Sequence, residues 1–314
     1  MSSTPTQSDL LIIGGSAAGV TAAVYAARRS LKFTHVSLDI GGEVFTSGEI
    51  ENYTGFPSTD GFTLTEQFRK QLQHNNIPVQ EGVTVKSIQK QDKGFLVEAD
   101  TLQGPAQWQV KAIIIATGAH PRHLGVAGET ELRGKGVTYC TTCDGPLFKG
   151  KRVVTIGGGN SALESGLMMS ELASQVTVIN KNDHFKGEQV LIDKLSKCQN
   201  VDIRYNALTQ AIEGDAQVKS VRYTDSASGE EKTVEADGVF IHIGTIPNAD
   251  FIQDIEKNKA GEIITDMAAK TSVPGIFAAG DVTNTPYKQI GVAVGQGVAA
   301  ALSAVSYLNN LSHE

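Results

Sequence analysis

Leu10-Leu11-Ile12-Ile13-Gly14-Gly15-Ser16-Ala17-Ala18-Gly19 is a short apolar run that breaks into a glycine turn and then an alanine-rich segment reaching Arg29. The apolar run predicts a buried strand, and the alanines predict a helix from Ala17. Phe33 to Leu38 predicts a second strand, ending at Asp39. Strand, glycine turn, helix and strand in that order form the unit that holds a dinucleotide. The turn and helix start, Gly14, Ser16, Ala17 and Gly19, would present backbone N–H groups to a pyrophosphate. Asp39 stands where an acid accepts a hydrogen bond from a ribose hydroxyl. Ser16 replaces the middle glycine of the G-x-G-x-x-G pattern but is small enough to allow close approach.

The pattern recurs once. Arg152 to Ile156 predicts a strand, Gly157-Gly158-Gly159-Asn160-Ser161-Ala162 the turn, Ala162 to Leu172 a helix, and Val176 to Ile179 the next strand. Gly157, Gly159 and Ala162 make an intact variant of the fingerprint, with Asn160 and Ser161 at the helix start. The residues after the last strand select the nucleotide: an acid favours NADH, and arginines favour the 2′-phosphate of NADPH. This chain has Asn180-Lys181-Asn182-Asp183-His184-Phe185-Lys186, with no acid first and no arginine. Asn180, Lys181 and Lys186 are candidate contacts, beside the simpler reading of a solvated turn; a lysine lacks the bidentate fork of arginine.

The chain has 314 residues, 40% of them hydrophobic, enough for two domains with a sizeable core. A net charge of -7 without a basic block argues against nucleic acid as a partner. No apolar run is read as approaching the roughly 18 residues of a membrane span, so no membrane partner is expected. Residues 1–10 read as a disordered start, unlike a secretion signal. Three cysteines in a chain this size point to a reducing, cytoplasmic setting.

Val83 to Ile88, Gly94 to Ala99, Gln107 to Val110 and Ala112 to Ala116 predict strands, as do Val201 to Tyr205, Val218 to Tyr223, Glu231 to Val234 and Gly238 to Ile243. Glycine and proline cluster at Gly118-Ala119-His120-Pro121 and Gly244-Thr245-Ile246-Pro247-Asn248, which read as hinges on either side of the second unit. The fold expected is α/β: two Rossmann-like three-layer nucleotide-binding domains, the second inserted into the first. The first would comprise 1–118 and 247–314, the second 119–246.

Both ends of the chain would then build the first site. Ala116-Thr117-Gly118 ends a buried strand with small residues. Gly280-Asp281 places an acid after a strand and a glycine, where it can bond the ribityl chain of a flavin. Lys288-Gln289-Ile290 leads into a small-residue helix from Gly291 to Ala301 whose start would face the flavin ring.

Cys140-Thr141-Thr142-Cys143-Asp144 carries the chemistry. Two cysteines three apart close a disulfide if the chain turns there, and Asp144 is placed to hand a proton to a departing thiolate. A zinc knuckle and two unpaired core cysteines are the alternatives. Zinc usually takes four Cys or His ligands, and Cys198, His184 and His242 fit no zinc spacing, so no metal is expected. Cys198 reads as a packing residue, and His120 and His123 as surface residues. Trp108 belongs to no constellation.

The order of motifs, the first glycine turn, Glu51-Asn52-Tyr53, Ala116-Thr117-Gly118, Cys-x-x-Cys-Asp-Gly, GxGxxA, Gly280-Asp281 and Lys288-Gln289, resembles the low-molecular-weight thioredoxin reductases over essentially the whole chain. Gly136 to Lys151 and Val282 to Gln289 are also similar to the flavoprotein subunit of alkyl hydroperoxide reductase, which carries an extra N-terminal redox module; the chain here starts at its flavin strand, so that role is not expected. The resemblance implies FAD held at the first site, with Gly42, Asn52 and Ile290 among its contacts, and NADH or NADPH at the second. It implies that Cys143 faces the flavin, that Cys140 attacks a thioredoxin-like disulfide and that Asp144 is the acid. A homodimer with a nicotinamide domain rotating at Gly118 and Gly244 is implied as well. Some members lacking the arginine set take electrons from ferredoxin. A flavoprotein scaffold without turnover is the reading from another class.

Overall fold

The computed structural model describes residues 5–47 and 49–311. Part of the expected disordered start, 1–4, lies outside the described residues. The rest is corrected, because the first strand already begins at Thr6 and runs to Ile13. Its polar beginning pairs Thr6 to Ser8 with Trp108 to Val110. Those bonds are backbone bonds, which need no apolar side chain.

The chain divides into two compact units. One holds residues up to 47, 53–120 and those from 246 on; the other holds 121–245 together with a short segment ending at Asn52. That segment packs beside the helix Thr141–Asp144.

The first unit is organised by its central strand, Gly104–Ile115. The two strands expected here, Gln107 to Val110 and Ala112 to Ala116, are one, because Lys111 stays in the pleat with its side chain exposed. Along one edge this strand pairs in parallel with Thr6–Ile13, followed by Phe33–Val36 and Val79–Gln80. On the other edge its two halves diverge. Residues 104–110 pair antiparallel with Gly94–Thr101, which pairs with Thr84–Gln91; residues 113–115 pair in parallel with Ile276–Ala278. Leu11, Ile13, Val36, Ile113, Ile115, Trp108 and Ile276 share one core.

The helix Ala17–Arg28 packs against the C-terminal helix Ile290–Leu311. A Cβ on Gly297 would lie 2.4 Å from Ala18 O, so the two helices meet at a glycine. The C-terminal helix corrects the expectation that no apolar run is long enough to span a bilayer. Its 22 residues include no Asp, Glu, Lys or Arg, and by length and composition it qualifies. Small residues dilute its hydrophobicity, which hides the run. Gly297, Ala300, Ala301, Ala304 and Leu308 make its buried stripe.

The second unit has a five-stranded parallel sheet in the order Val137–Thr138, Gly238–Ile241, Arg152–Ile156, Gln175–Ile179, Val201–Arg204. A three-stranded antiparallel sheet, Ala207–Gly214, Val218–Asp225 and Glu231–Glu235, accompanies it. The parallel strands are apolar on both sides because a separate core covers each face: Val154, Ile156 and Val239 on one, Val153, Val178 and Phe240 on the other.

The chain crosses from the first unit to the second along Ala119–Pro121 and returns along Thr245–Pro247, two short strands that pair. Gly118 (φ 68°) and Gly244 (φ 104°) each directly precede one of these strands and lie in the left-handed region, which glycine enters without strain.

Candidate active site

Cys140 and Cys143 are joined by a disulfide, with Cα atoms 5.3 Å apart. The turn that allows this is the short helix Thr141–Asp144, which Cys140 caps. The backbone N–H of Cys143 lies 3.2 Å from Cys140 Sγ. A donor on that sulfur favours its thiolate. Thr138 holds the turn from below: its hydroxyl accepts from Cys140 N at 3.1 Å and donates to the Asp144 carboxylate in a short hydrogen bond. Burial raises the Asp144 pKa, against the opposing effect of the Thr138 bond. A carboxyl whose pKa is raised, one residue after Cys143, is suited to proton exchange with a thiol. Among the described residues, no three His, Cys, Asp or Glu side chains gather as a metal-ligand group.

Beneath the turn runs a line of buried polar groups. Thr141 Oγ1 lies 2.7 Å from His242 Nε2 and 2.6 Å from Ser165 Oγ, and Ser165 Oγ lies 3.3 Å from Thr155 Oγ1. His242 directly follows the strand Gly238–Ile241, and burial lowers its pKa to about 4. An unfolded histidine titrates near 6.5. Between these values only the unfolded chain binds the proton, so stability is unaffected by His242 above about pH 6.5 and falls as pH drops towards 4. The loss reaches about 3 kcal/mol, at roughly 1.4 kcal/mol per pKa unit. Urea midpoints at pH 7.5, 6 and 5 should therefore fall more steeply in the wild type than in His242→Gln. Equal slopes would remove His242 from the account. His35, also buried with a lowered pKa, adds the same sign to both proteins.

Tyr139 precedes the dithiol and is held from its far side. Its hydroxyl donates to Glu129 Oε1 at 2.8 Å and lies 3.0 Å from His123 Nδ1. Burial alone would raise the Glu129 pKa, but donors from Leu124, Tyr139 and Gly125 together hold it below the usual carboxylate value. His123 is exposed, as expected of a surface residue, and its ring lies edge-on to Tyr139.

The second glycine turn fits a nucleotide. Gly157 has φ 151°, and a Cβ there would lie 2.2 Å from His242 O. The helix Asn160–Leu172 starts at Gly159 with no side-chain cap and no acid in its first turn. A Cβ on Gly159 would meet nothing within 4 Å. Unfilled N–H groups with open space above them suit a pyrophosphate. Ala162 is fully buried against the turn. Asn160 exchanges hydrogen bonds with Glu188, its Oδ1 accepting from Glu188 N at 2.8 Å and its Nδ2 donating to Glu188 Oε1 at 3.0 Å. Asn180 is 1% exposed, donates to His184 O at 2.8 Å and accepts from Asn182 N at 3.1 Å. It closes its own turn. Ser161, Lys181 and Lys186 are exposed.

In the first unit, Gly14 (φ 125°) is pressed against the neighbouring strand, and a Cβ would lie 2.1 Å from Ala116 O. The helix Ala17–Arg28 also begins without a side-chain cap or an acid. Its N-cap, Ser16, donates instead to Gly41 O at 2.6 Å, leaving the helix N–H groups open. A Cβ on Gly19 would lie 1.9 Å from Gly14 O, so strand and helix touch. Asp39 is exposed and accepts from Gly42 N at 2.9 Å. Thr117 is turned to Asn248, donating to its carbonyl at 2.6 Å. Gly280 donates to Gln296 Oε1 at 2.7 Å.

Asp281 is the clearest sign of a ligand in this unit. Burial raises its pKa to about 6, with Lys288 opposing and Glu43 and Glu262 adding. Lys288 Nζ donates to the Asp281 and Thr283 carbonyls and pairs with Glu262 at 2.8 Å. No hydrogen bond among the described residues reaches the Asp281 carboxylate. A largely buried acceptor without a donor is what a polyhydroxylated ligand satisfies. Ile290 opens the C-terminal helix. Asn52 is grouped with the second unit.

His35, Gln296, Asn248, Tyr139 and Glu129 carry no motif that sequence reasoning could single out. His35 Nε2 lies 2.7 Å from Gly14 O while its Nδ1 has no partner. A lone histidine inside an apolar strand is the available signal. Cys198 is a free, partly exposed thiol near Lys194 O.

Two glycine turns of the kind that suits a dinucleotide stand in the same chain as one cystine turn. Residues 8–297 match the model of the pyridine nucleotide-disulphide oxidoreductase family, and the chain belongs to that family. It is 41% identical over 303 residues to an alkyl hydroperoxide reductase component of Escherichia coli K12, covering 96% of this chain and 58% of that relative. The chain thus spans little more than half the length of that relative. Among solved structures it is similar to thioredoxin reductase from Streptococcus pyogenes, with 33% identity, TM-score 0.88, and coverage of 98% of this chain and 100% of that one. It is similar too to a ferredoxin-flavin thioredoxin reductase from Clostridium acetobutylicum, with 30% identity, TM-score 0.54, and coverage of 98% and 99%.

Proposed function

We propose that this chain is a cytoplasmic, homodimeric disulfide reductase of the thioredoxin reductase type. Electrons from NADH or NADPH reach the Cys140–Cys143 disulfide and leave to a disulfide on a small thioredoxin-like protein. The cystine turn carries this reading: Cys140 Sγ has an N–H donor, and burial raises the pKa of Asp144, the residue after Cys143. The relatives support it by name, with the chain covering the full length of the Streptococcus protein. FAD, when bound, supplies the two-electron exchange between a nicotinamide and a disulfide. Gly14, Ser16, Ala17 and Gly19 would hold its pyrophosphate, Asp39 a ribose and Asp281 the ribityl hydroxyls. Gly157, Gly159 and Ala162 would hold the nicotinamide dinucleotide.

The residues' own work is at sulfur. The disulfide takes up two electrons and two protons and becomes two thiols. The Cys140 thiolate attacks one sulfur of the partner disulfide, whose other sulfur leaves as a thiolate. The Cys143 thiolate then attacks Cys140 in the mixed disulfide, releasing the reduced partner and restoring the cystine. Asp144 passes protons at its carboxyl. Asp144→Asn should lower the rate of thioredoxin reduction by about 10²-fold and flatten its pH profile. An unchanged rate would exclude Asp144 from proton transfer.

A second donor has its own support. Asn180 is engaged by its own turn, so the position that reads the ribose offers neither acid nor guanidinium, and ferredoxin is the alternative electron source. Anaerobic titration with NADH, NADPH and reduced ferredoxin in parallel decides the matter. Bleaching of the flavin by a nicotinamide supports the first reading. Bleaching by ferredoxin alone transfers the role, and bleaching by none overturns both.

A further inference from the structure

We propose that His242 is a positioning residue for the dithiol: by holding the Thr141 hydroxyl it keeps the Cys140–Cys143 turn closed and biases the pair towards the disulfide. The inference rests on the redox reading of that pair.

Thr141 lies between the two cysteines and is 6% exposed. It is the first residue of the helix that Cys140 caps. Its hydroxyl is tied to His242 and Ser165, and Ser165 in turn approaches Thr155. These anchors stand on separate rigid elements. Thr155 is in the strand Arg152–Ile156, Ser165 on the helix Asn160–Leu172, and His242 at the end of Gly238–Ile241. The turn is therefore pinned to the sheet at one point between the sulfurs. Reduction adds two electrons and two protons and moves the sulfurs from bonding distance to van der Waals contact. Cys140 and Cys143 must separate, while Thr141 is held where the closed turn places it. Hydrogen bonds made in the disulfide form and weakened on opening shift the equilibrium towards the disulfide. The dithiol becomes a stronger reductant of whatever disulfide it meets.

The test uses the full-length chain equilibrated in mixtures of reduced and oxidised dithiothreitol. Thiols are trapped by alkylation, and the mass of the peptide carrying Cys140 and Cys143 is read. Reduction of the pair is balanced by cyclisation of dithiothreitol to its own disulfide. Thr141→Val and His242→Ala should each shift the equilibrium towards the dithiol by about fivefold, the size of one net hydrogen bond. His242→Gln, whose amide reaches the same hydroxyl, should stay within about twofold of the wild type. A wild-type constant in Thr141→Val overturns the proposal. So does a shift in His242→Gln as large as in His242→Ala, which would make the imidazole a space filler. If His242→Ala fails to fold, Thr141→Val decides alone, since it keeps the volume. A wild-type pair that never exchanges with dithiothreitol would instead sink the redox reading itself.

Discussion

Cys143→Ser should accumulate a stable mixed disulfide between Cys140 and its protein partner, and turnover of a thioredoxin disulfide should fall by at least about 10³-fold, as when one member of a catalytic unit is removed. The asymmetry follows from the turn. Cys140 caps the helix and receives the Cys143 N–H at 3.2 Å. That donor lowers the cost of a thiolate on Cys140, so Cys140 attacks first. With serine at 143 no second sulfur resolves the mixed disulfide. Cys140→Ser should lose turnover to the same extent but trap little partner. Both variants keep the glycine turns of both units, so the flavin should still bleach with the wild-type donor. Non-reducing electrophoresis with a single-cysteine thioredoxin separates the cases. Equal trapping by the two variants would reverse or abolish the assigned direction, and residual turnover above a tenth would move the chemistry elsewhere.

The dithiol and both glycine turns are legible because each depends on local sequence. A Cys-x-x-Cys spacing needs only one turn of chain. A glycine turn shows itself because only glycine tolerates the approach of a neighbouring carbonyl, as at Gly157 and Gly14. The two halves of the strand Gly104–Ile115 read as separate strands because its exposed Lys111 interrupts the apolar pattern, while the backbone ladder continues regardless. The C-terminal helix is recognisable only as far as Ala301, since its glycines and alanines give a weak signal; packing on Ala17–Arg28 carries it to Leu311.

Contacts between distant residues are not legible. Thr141 and His242 stand 101 positions apart, and nothing near either predicts the other. Thr117 follows a strand, and its hydroxyl goes to Asn248, 131 positions away. Asn180 occupies the position proposed to read a ribose, and sequence offers only its residue type. Its burial and its bonds to Asn182 and His184 appear only once the loop folds over it. Polar side chains reveal their partners in three dimensions, whereas glycine reveals a backbone constraint in one.

That constraint gives the second large expected effect. Gly14→Ala should cost at least about 3 kcal/mol of stability and strip the flavin from whatever still folds. Two penalties add at this position. The φ of 125° lies where an L side chain is strained, and the new Cβ would lie 2.1 Å from the Ala116 carbonyl oxygen. That oxygen is backbone, at the end of a strand paired on both sides with Thr6–Ile13 and Ile276–Ala278, so it has nowhere to retreat. Moving it would disturb Ala116 and Thr117 together with the turn before the helix Ala17–Arg28, where the pyrophosphate is proposed to lie. Gly159→Ala is the matched control. Its backbone (φ -100°) suits any residue and its Cβ would meet nothing within 4 Å, so the unfolding midpoint should stay within about 0.5 kcal/mol of the wild type. The new methyl would nonetheless enter the open space above the second helix, and the nicotinamide nucleotide should bind at least about fivefold more weakly. Flavin content, urea midpoint and nucleotide affinity, measured on both variants, separate a glycine required by the fold from one required by a ligand. A Gly14→Ala protein with wild-type flavin content would show that the strand end yields, and a Gly159→Ala protein with unchanged nucleotide affinity would show that the open space belongs to no ligand.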